Sequence, residues 1–69
     1  MTNELDTGLP SVRQVQAFIK DKTSVEVKLT TGDLLHGQIV WQDPHYFRLV
    51  TGQQESFLLY RAHVVYIKG

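Results

Sequence analysis

Three histidines, and one aspartate that lies near a histidine in sequence, are the first candidates for acid–base or metal chemistry in this chain. The histidines His36, His45 and His63 do not show the spacing that is typical of a structural metal site. Asp43 lies close to His45 in sequence, but a pair of this kind is common by chance. The sequence contains no nucleophile–base pair, no phosphate-binding glycine loop and no cluster of metal ligands. We therefore expect no enzymatic activity, no bound metal and no cofactor.

Length and composition limit the chain to one small domain that needs a partner for stability. A domain of 69 residues buries only about 60% of its unfolded surface and is marginally stable alone. Small domains compensate with disulfides, metals or association. The sequence has no cysteine, which excludes disulfides and leaves association. The lack of cysteine also fits a reducing compartment, and we expect a cytoplasmic location.

Acidic and basic side chains are present in equal numbers, seven of each, so the formal net charge is zero. Proteins that bind nucleic acid usually carry a basic excess, because contacts to phosphates provide much of the affinity. Any affinity of this chain for nucleic acid must therefore come from local patches, from base-reading pockets, or from one weak site repeated around an oligomer.

Residues 25–43 predict a β-hairpin. In the first strand, apolar residues alternate with polar ones at Val25, Val27 and Leu29. The turn at 31–33 contains Gly32, which can adopt a positive φ. A second glycine, Gly37, lies inside the second strand, where glycine marks a bend, a bulge or a close backbone approach. Such a strongly bent antiparallel sheet in so short a chain predicts a small barrel.

The second strand also carries three apolar residues, Leu35, Ile39 and Trp41. Strand alternation predicts that they lie on the same face of the strand as Gly37. Trp41 is therefore interpreted as a core or interface residue.

A short helix precedes the hairpin. Pro10 or Ser11 starts it, with Ser11 as a candidate N-cap. The apolar residues that fall on one face of this helix are Val12, Val15, Phe18 and Ile19. We expect a flexible tail over residues 1–9 and a folded domain over residues 10–69, with the helix at about 11–21 and the strands within about 24–68. The polar N-terminus does not resemble a signal peptide, and no apolar run is long enough to span a membrane.

Three more strands are predicted after the hairpin, at His45–Val50, Glu55–Tyr60 and His63–Ile67. The last two are separated only by Arg61-Ala62, which is too short for an ordinary hairpin loop and predicts a sharp corner. The last strand offers apolar surface to both faces through Val64, Val65, Tyr66 and Ile67. An apolar edge strand invites pairing with another chain, and head-to-tail pairing that closes on itself produces a ring.

The spacing of these elements resembles that of a known family. The pattern Val-x-Val-x-Leu-x-x-Gly, followed after four residues by Gly-x-Ile and then Asp43, is similar to the first motif of the Sm-like fold. The segment Tyr60–His63, followed by an apolar strand, is similar to its second motif. The helix and Gly37-Gln38-Ile39 narrow the resemblance to Hfq, the bacterial Sm-like RNA chaperones. Residues 9–16 and Trp41-Gln42-Asp43 are most similar to the divergent cyanobacterial members.

This resemblance implies a mainly β, SH3-like small barrel with an N-terminal helix and five strongly bent strands, assembled into a homohexameric ring. It implies binding of single-stranded RNA, both small regulatory RNA and messenger RNA, on a helix-bearing proximal face, on the opposite distal face and along the rim. The implied activity is remodelling of RNA without covalent chemistry. In the family, the fourth and fifth strands pair between subunits, which places Tyr60 and residues 64–67 at the interface.

Several proximal residues depart from the family pattern, in which a Lys-His pair follows the motif tyrosine. Here Arg61 and Ala62 occupy those positions, and His63 follows one place later, where strand alternation turns it to the other side. Arg61 keeps a planar fork of donors for a phosphate or a base edge. The proximal residues that the resemblance implies are Ser11, Gln14, His45, Tyr46, Tyr60, Arg61 and His63. For Tyr60 and Arg61 the alternative role is packing between subunits.

The distal and rim positions are also altered. Lys28 stands where the family has a stacking tyrosine, and Asp33 adds a negative charge that disfavours phosphate. The remaining distal positions are Thr31, Gly32, Leu34, Leu35 and His36. The alternative is that residues 31–33 form only a turn. The arginine cluster of the rim is reduced to Arg13, Lys20 and Lys22, with Asp21 between the two lysines. The alternative for these charges is an ordinary solvated helix face.

These substitutions predict weaker or altered RNA binding. The alternative is a ring that docks a protein partner on its proximal face. Loss of the Lys-His pair and of the rim arginines favours that alternative.

Overall fold

One helix is followed by five antiparallel strands in a single sheet, which confirms the fold class predicted from the sequence. The computed structural model describes residues 5–69. Its elements are α1 Pro10–Lys20, β1 Val25–Leu29, β2 Leu34–Gln42, β3 Tyr46–Thr51, β4 Ser56–Tyr60, a 3₁₀ turn Arg61–His63, and β5 Val64–Lys68.

The order of strands across the sheet is β4-β3-β2-β1-β5, so β4 and β5 are its two edges. In a flat sheet these edges would lie about 19 Å apart, since neighbouring strands are spaced by about 4.8 Å. The 3₁₀ turn that connects them has only three residues and rises about 2 Å per residue. The sheet must therefore curl strongly, and the predicted sharp corner is this 3₁₀ turn.

The hydrophobic core lies inside the curled sheet and under α1. Its buried residues are Val12, Val15, Val25, Val27, Ile39, Phe47, Leu49 and Leu59. Gly37 pairs with Thr51 on the neighbouring strand. A Cβ at Gly37 would collide with the carbonyl oxygen of Val50 and lie 2.9 Å from its carbonyl carbon. Gly37 therefore marks a close approach of two backbones, one of the three predicted roles of a glycine within the strand.

The helix begins without a side-chain cap. Pro10 occupies the first helical turn, and Leu9 is the N-cap, with no side-chain hydrogen bond. The prediction of Ser11 as N-cap is therefore wrong, because Ser11 already lies inside the helix. Proline is well suited to the first helical turn, since its fixed φ is helical and its missing N–H is not needed there.

The helix ends in a Schellman arrangement. The amide of Lys22 donates to the carbonyl of Ile19 at 3.2 Å, and that of Thr23 donates to Phe18 at 3.0 Å. Lys22 adopts a φ of 52°, the left-handed conformation in which this motif usually places glycine. This backbone geometry leads directly from α1 into β1.

A bulge in β2 overturns the expected position of Trp41. Ile39 pairs with the buried Leu49, but Trp41 pairs with Arg48, because the register shifts between Ile39 and Trp41. The extra residue, Val40, moves Trp41 to the outer face of the sheet, where it is 41% exposed. Within this chain, Trp41 therefore does not belong to the core, and the strict period of two fails at the bulge.

The predicted N-terminal tail, residues 1–9, falls partly outside the described residues, at positions 1–4. Within the described part, Asp6 accepts a hydrogen bond from the amide of Gly8 at 2.9 Å. Leu9 donates to the carbonyl of Asp6 at 3.3 Å, so a turn leads into α1. Across residues 5–69, no helix has the length and apolar character required to cross a membrane.

Candidate functional site

An aromatic cluster lies where the β2–β3 turn meets the 3₁₀ turn. Tyr46 pairs with Tyr60 across β3 and β4, and their ring centroids are 5.5 Å apart in an edge-on arrangement. The His63 ring packs against Tyr60 in the same way at 5.2 Å. Strand alternation predicts that His63 turns away, but that rule does not apply because His63 belongs to the 3₁₀ turn. We call Tyr46, Tyr60 and His63 the ring cluster.

Asp43 holds the loop beneath this cluster. Its Oδ1 accepts hydrogen bonds from the backbone amides of His45 at 2.9 Å and Tyr46 at 2.7 Å. These two bonds hold the pKa of the Asp43 carboxyl below its ordinary value, because they stabilise the charged form. Asp43 thus stabilises the turn through the backbone amide of His45. Among residues 5–69, its carboxylate makes no hydrogen bond to the imidazole of His45.

Arg61 lies at the start of the 3₁₀ turn and is largely engaged within the chain. Its Nη2 donates to Oε1 of Gln42 at 2.9 Å and to the carbonyl oxygen of Asp43 at 2.7 Å. Its Nε donates to the same carbonyl oxygen at 3.2 Å. The guanidinium carbon lies 4.2 Å from the centroid of the Phe47 ring, a cation–π contact. Desolvation lowers the pKa of Arg61, although arginine remains charged at any ordinary pH.

Gln42 connects this arginine to the helix. Its Nε2 donates to Oε1 of Gln16 at 2.8 Å and to the carbonyl oxygen of Val12 at 3.1 Å. Gln42 is not among the site residues predicted from the sequence. Because of the bulge in β2, the alternation of strand faces no longer holds at position 42. No local sequence pattern therefore indicates that Gln42 faces α1 and Arg61.

Two hollows flank Arg61. The larger, with a volume of about 310 Å³, lies between α1 and β5, and it brings the predicted proximal residues Ser11, Gln14 and Arg61 together. Its walls are mostly apolar, with Phe18 and Ile67 among the lining residues. The smaller hollow, of about 160 Å³, is lined by Pro44, His45, Tyr60, Arg61 and Ala62. The structure therefore gathers the predicted proximal residues around Arg61, with the ring cluster on one side and the helix on the other.

The predicted distal residues separate into a turn and a sheet face. Gly32 adopts a φ of 92° in the β1–β2 turn, where the Thr31 hydroxyl donates to Asp33 at 2.7 Å. Lys28, Leu34 and His36 are exposed on the outer face of β1 and β2. Leu35 instead packs against the core, so its side chain is withdrawn from that face.

A carboxylate orders the outer face beside the turn. Glu26 accepts hydrogen bonds from the Tyr66 hydroxyl at 2.7 Å and from Nε2 of His36 at 3.0 Å. The bond from Tyr66, and then that from His36, lower the pKa of Glu26 from its ordinary value. The same carboxylate raises the pKa of Tyr66. Three strands, β5, β1 and β2, are thus connected through one side chain.

The predicted rim residues lie along α1 and its end. Arg13 and Lys20 are exposed and seven residues apart, so they share one side of the helix about 10 Å from each other along its axis. Lys22 follows in the left-handed turn.

The predicted interface residues lie at the two sheet edges. In β5, Val64 and Ile67 pack partly against the core, while Val65 is 58% exposed. In β4, the other edge strand, Leu58 is 55% exposed. Both edges therefore carry exposed apolar side chains. Among residues 5–69, no group of three or more metal-ligating side chains is present.

The comparisons with known proteins agree with this architecture. The sequence profile of the family described as "Hfq related" matches residues 9–69. An Hfq protein from Anabaena sp. is 35% identical, with 87% of this chain and 95% of that chain covered and a TM-score of 0.78. A second solved structure, the pleiotropic translational regulator Hfq, is 20% identical and covers 86% of this chain and 97% of that one, with a TM-score of 0.81; at this identity it shows the fold alone. No match is found among curated proteins.

The resemblance carried by the two motifs and the helix is thereby confirmed. The matched residues include α1, all five strands and both hollows around Arg61. The chain belongs to the Hfq-related family.

Proposed function

We propose that this protein is an RNA-binding post-transcriptional regulator that works as a homohexameric ring in the cytoplasm. Membership of the Hfq-related family supports RNA binding. The proposal of a ring rests on one observation. The sheet has two unpaired edge strands, β4 and β5, which are connected by a three-residue turn. Unpaired edges with exposed apolar side chains favour pairing with another copy. Pairing β4 of one copy with β5 of the next is head-to-tail and forms a ring when the rotation closes.

The proximal surface of this ring would bind single-stranded RNA around Arg61. The ring cluster offers aromatic faces on which unpaired bases stack. Within residues 5–69, Nη1 of Arg61 makes no hydrogen bond, whereas Nε and Nη2 do. The internal bonds fix the guanidinium, and Nη1 remains the donor for a phosphate or a base edge.

Binding is expected to be weaker than in typical members of the family. The chain has no net charge, and most of the donor capacity of Arg61 is used inside the chain. Small RNAs and messenger RNA are the proposed ligands, and we propose no covalent chemistry.

Titration of the ring with labelled oligouridylate and oligoadenylate, followed by fluorescence anisotropy, tests this proposal. Arg61→Ala is expected to weaken binding to the proximal face, with the native mass unchanged. Arg48→Ala, on β3 and outside the predicted RNA sites, is the matched control for loss of one positive charge. If the wild-type ring binds neither oligonucleotide at low salt, RNA binding is not its function.

A protein-docking ring is the second candidate. The observation in its favour is the mostly apolar cleft of about 310 Å³ between α1 and β5, since apolar walls suit a protein side chain better than a phosphate. Pull-down from lysate with and without nuclease separates the two candidates. A partner that disappears with nuclease supports RNA binding, and a partner that is retained supports docking.

A further inference from the structure

Two apolar surfaces lie at the opposite edges of the sheet, one on β4 and one beside β5. On β4, Leu58 is 55% exposed, and it lies on the outer face because the next residue, Leu59, is buried in the core. Beside β5 lies the mostly apolar cleft of about 310 Å³ under α1. An exposed leucine and an unfilled apolar cleft both leave hydrophobic surface in contact with water. Covering either of them with apolar side chains is therefore favourable.

The cleft borders the unpaired edge strand β5. Three residues of that strand line it, Val64, Tyr66 and Ile67. Two core residues, Val15 and Phe47, line it as well, so the cleft lies on the core face of β5. A strand that paired with the free edge of β5 would run about 4.8 Å from it. The side chains that such a strand carried on the same face would lie against the cleft.

The directions of the strands decide which face of β4 meets the cleft of the next copy. Every neighbouring pair in the order β4-β3-β2-β1-β5 is antiparallel. With five strands, the two edge strands therefore run in the same direction along the sheet. Antiparallel pairing of β4 with β5 of another copy requires that one sheet is turned over relative to the other at the shared edge. The outer face of β4 then continues into the core face of β5, whereas parallel pairing would join the two core faces.

Antiparallel pairing is the arrangement that covers both apolar surfaces. It is also the commoner and slightly more stable kind of strand pairing. It places Leu58 of one copy on the side of α1 and of the cleft in the next copy, whereas parallel pairing would leave Leu58 on the side away from the helix. A cavity of about 150 Å³ can hold a benzene ring, so the cleft of about 310 Å³ has room for a leucine side chain.

We propose that Leu58 of one copy fills the cleft between α1 and β5 of the next copy, with β4 and β5 paired antiparallel. This inference rests on the ring proposed above, and it names the side chain that each copy contributes to its neighbour. The cleft of a lone chain then belongs to the subunit interface and is closed in the assembled ring. The protein-docking candidate requires the opposite, namely a cleft that stays open in the ring.

The native mass, measured over a series of protein concentrations, tests this contact. Leu58→Ala is expected to raise the dissociation constant of each interface roughly 5- to 50-fold, because the burial of one leucine side chain is lost there. Leu34→Ala is the matched control, since Leu34 is 46% exposed but lies on β2, inside the sheet and away from both edges. Both side chains are exposed, so neither substitution should unfold the chain, and circular dichroism verifies this.

Cross-linking distinguishes the two directions of pairing. The sequence has no cysteine, so two thiols can be introduced without interference. Gln14→Cys places one thiol on the wall of the cleft. Together with Leu58→Cys, it is expected to give covalent oligomers with a short bis-maleimide reagent. Phe57→Cys is the matched alternative to Leu58→Cys, because Phe57 packs against the core and would meet the cleft of the next copy only in parallel pairing.

Two results would overturn the inference. One is an unchanged dissociation constant for Leu58→Ala, and the other is the formation of covalent oligomers through Phe57→Cys but not through Leu58→Cys. Either result in an intact wild-type ring removes this contact and leaves the ring in place. If the wild-type protein instead has the mass of a single chain at every concentration, the proposed ring itself fails, so the two failures are distinguishable.

Discussion

Gln42 and Arg61 form a side-chain hydrogen bond, from Nη2 of the arginine to Oε1 of the glutamine, at 2.9 Å. The amide nitrogen of Gln42 at the same time donates to Gln16 and to the carbonyl oxygen of Val12. A single amide therefore connects α1 to the 3₁₀ turn that joins β4 and β5. This connection positions Arg61 beside both hollows.

Gln42→Ala is expected to lower the free energy of unfolding by about 2 kcal/mol, because it removes three hydrogen bonds worth about 0.5–1.5 kcal/mol each and leaves Arg61 partly unpaired. Urea unfolding at fixed protein concentration measures this loss. The matched control, Gln16→Ala, removes only one exposed bond and should cost well under half as much. Equal losses in the two variants would show that Gln42 does not support Arg61.

Gly37→Ala is expected to destabilise the protein by about 3 kcal/mol, since the new Cβ would press on the backbone of Val50 and not on a mobile side chain. Gly52→Ala is the control, because a Cβ there has no heavy atom within 4 Å. Its effect should stay below about 1 kcal/mol. Thermal unfolding of both variants under identical conditions measures the two losses of stability. A tolerated alanine at position 37 would contradict the close approach of β2 and β3.

Lys22→Gly is expected to stabilise the protein by about 0.5–1 kcal/mol, because the left-handed φ at this position is unfavourable for any residue with a Cβ. Lys20→Gly, within the last turn of α1, removes the same charge but should destabilise by about 0.5–1 kcal/mol. Both variants lose one lysine charge, but their changes in the free energy of unfolding are expected to have opposite signs. This difference separates the effect of backbone strain from the effect of charge. Chemical denaturation of the two variants measures both values, and destabilisation by Lys22→Gly would refute the left-handed helix end.

The pKa of Glu26 gives a prediction about pH. Since its pKa is lowered in the folded protein from an ordinary value of 4.5, its contribution to stability is complete above pH 4.5 and is lost as the pH falls through the lower, folded pKa. Tyr66→Phe removes the strongest cause and should move the pKa of Glu26 back toward 4.5. An NMR titration of the Glu26 side chain in both proteins measures the change. Identical titration curves would mean that the Tyr66–Glu26 bond does not form in solution.

Much of the fold follows from local patterns in the sequence. The alternation of Val25, Val27 and Leu29 predicts a strand with one buried face, and Gly32 predicts the following turn. The short Arg61-Ala62 connection predicts the corner. Each of these features depends on residues that are close together in the chain, so single-residue preferences suffice to identify them.

The features that the sequence mispredicts depend on contacts between distant segments. Strand alternation places Trp41 on the face of Gly37 only if it continues unbroken through Val40, but the pairing with β3 introduces a bulge there. The role of Gln42 is not predicted from the sequence, because its hydrogen-bond partners Gln16 and Arg61 are far from it in the chain. Ser11 is a plausible cap by residue type, but proline starts the helix one residue earlier.

The native mass of the protein in dilute buffer, measured with and without a short RNA, tests the central claim most directly. That claim is that β4 of one copy completes the sheet of the next at β5 and that the closed ring forms the RNA-binding surface. Six copies of the 7.9 kDa chain give a predicted mass of about 47 kDa, with RNA adding to an intact ring. A folded species of 7.9 kDa at micromolar concentration, unchanged by RNA, would contradict it.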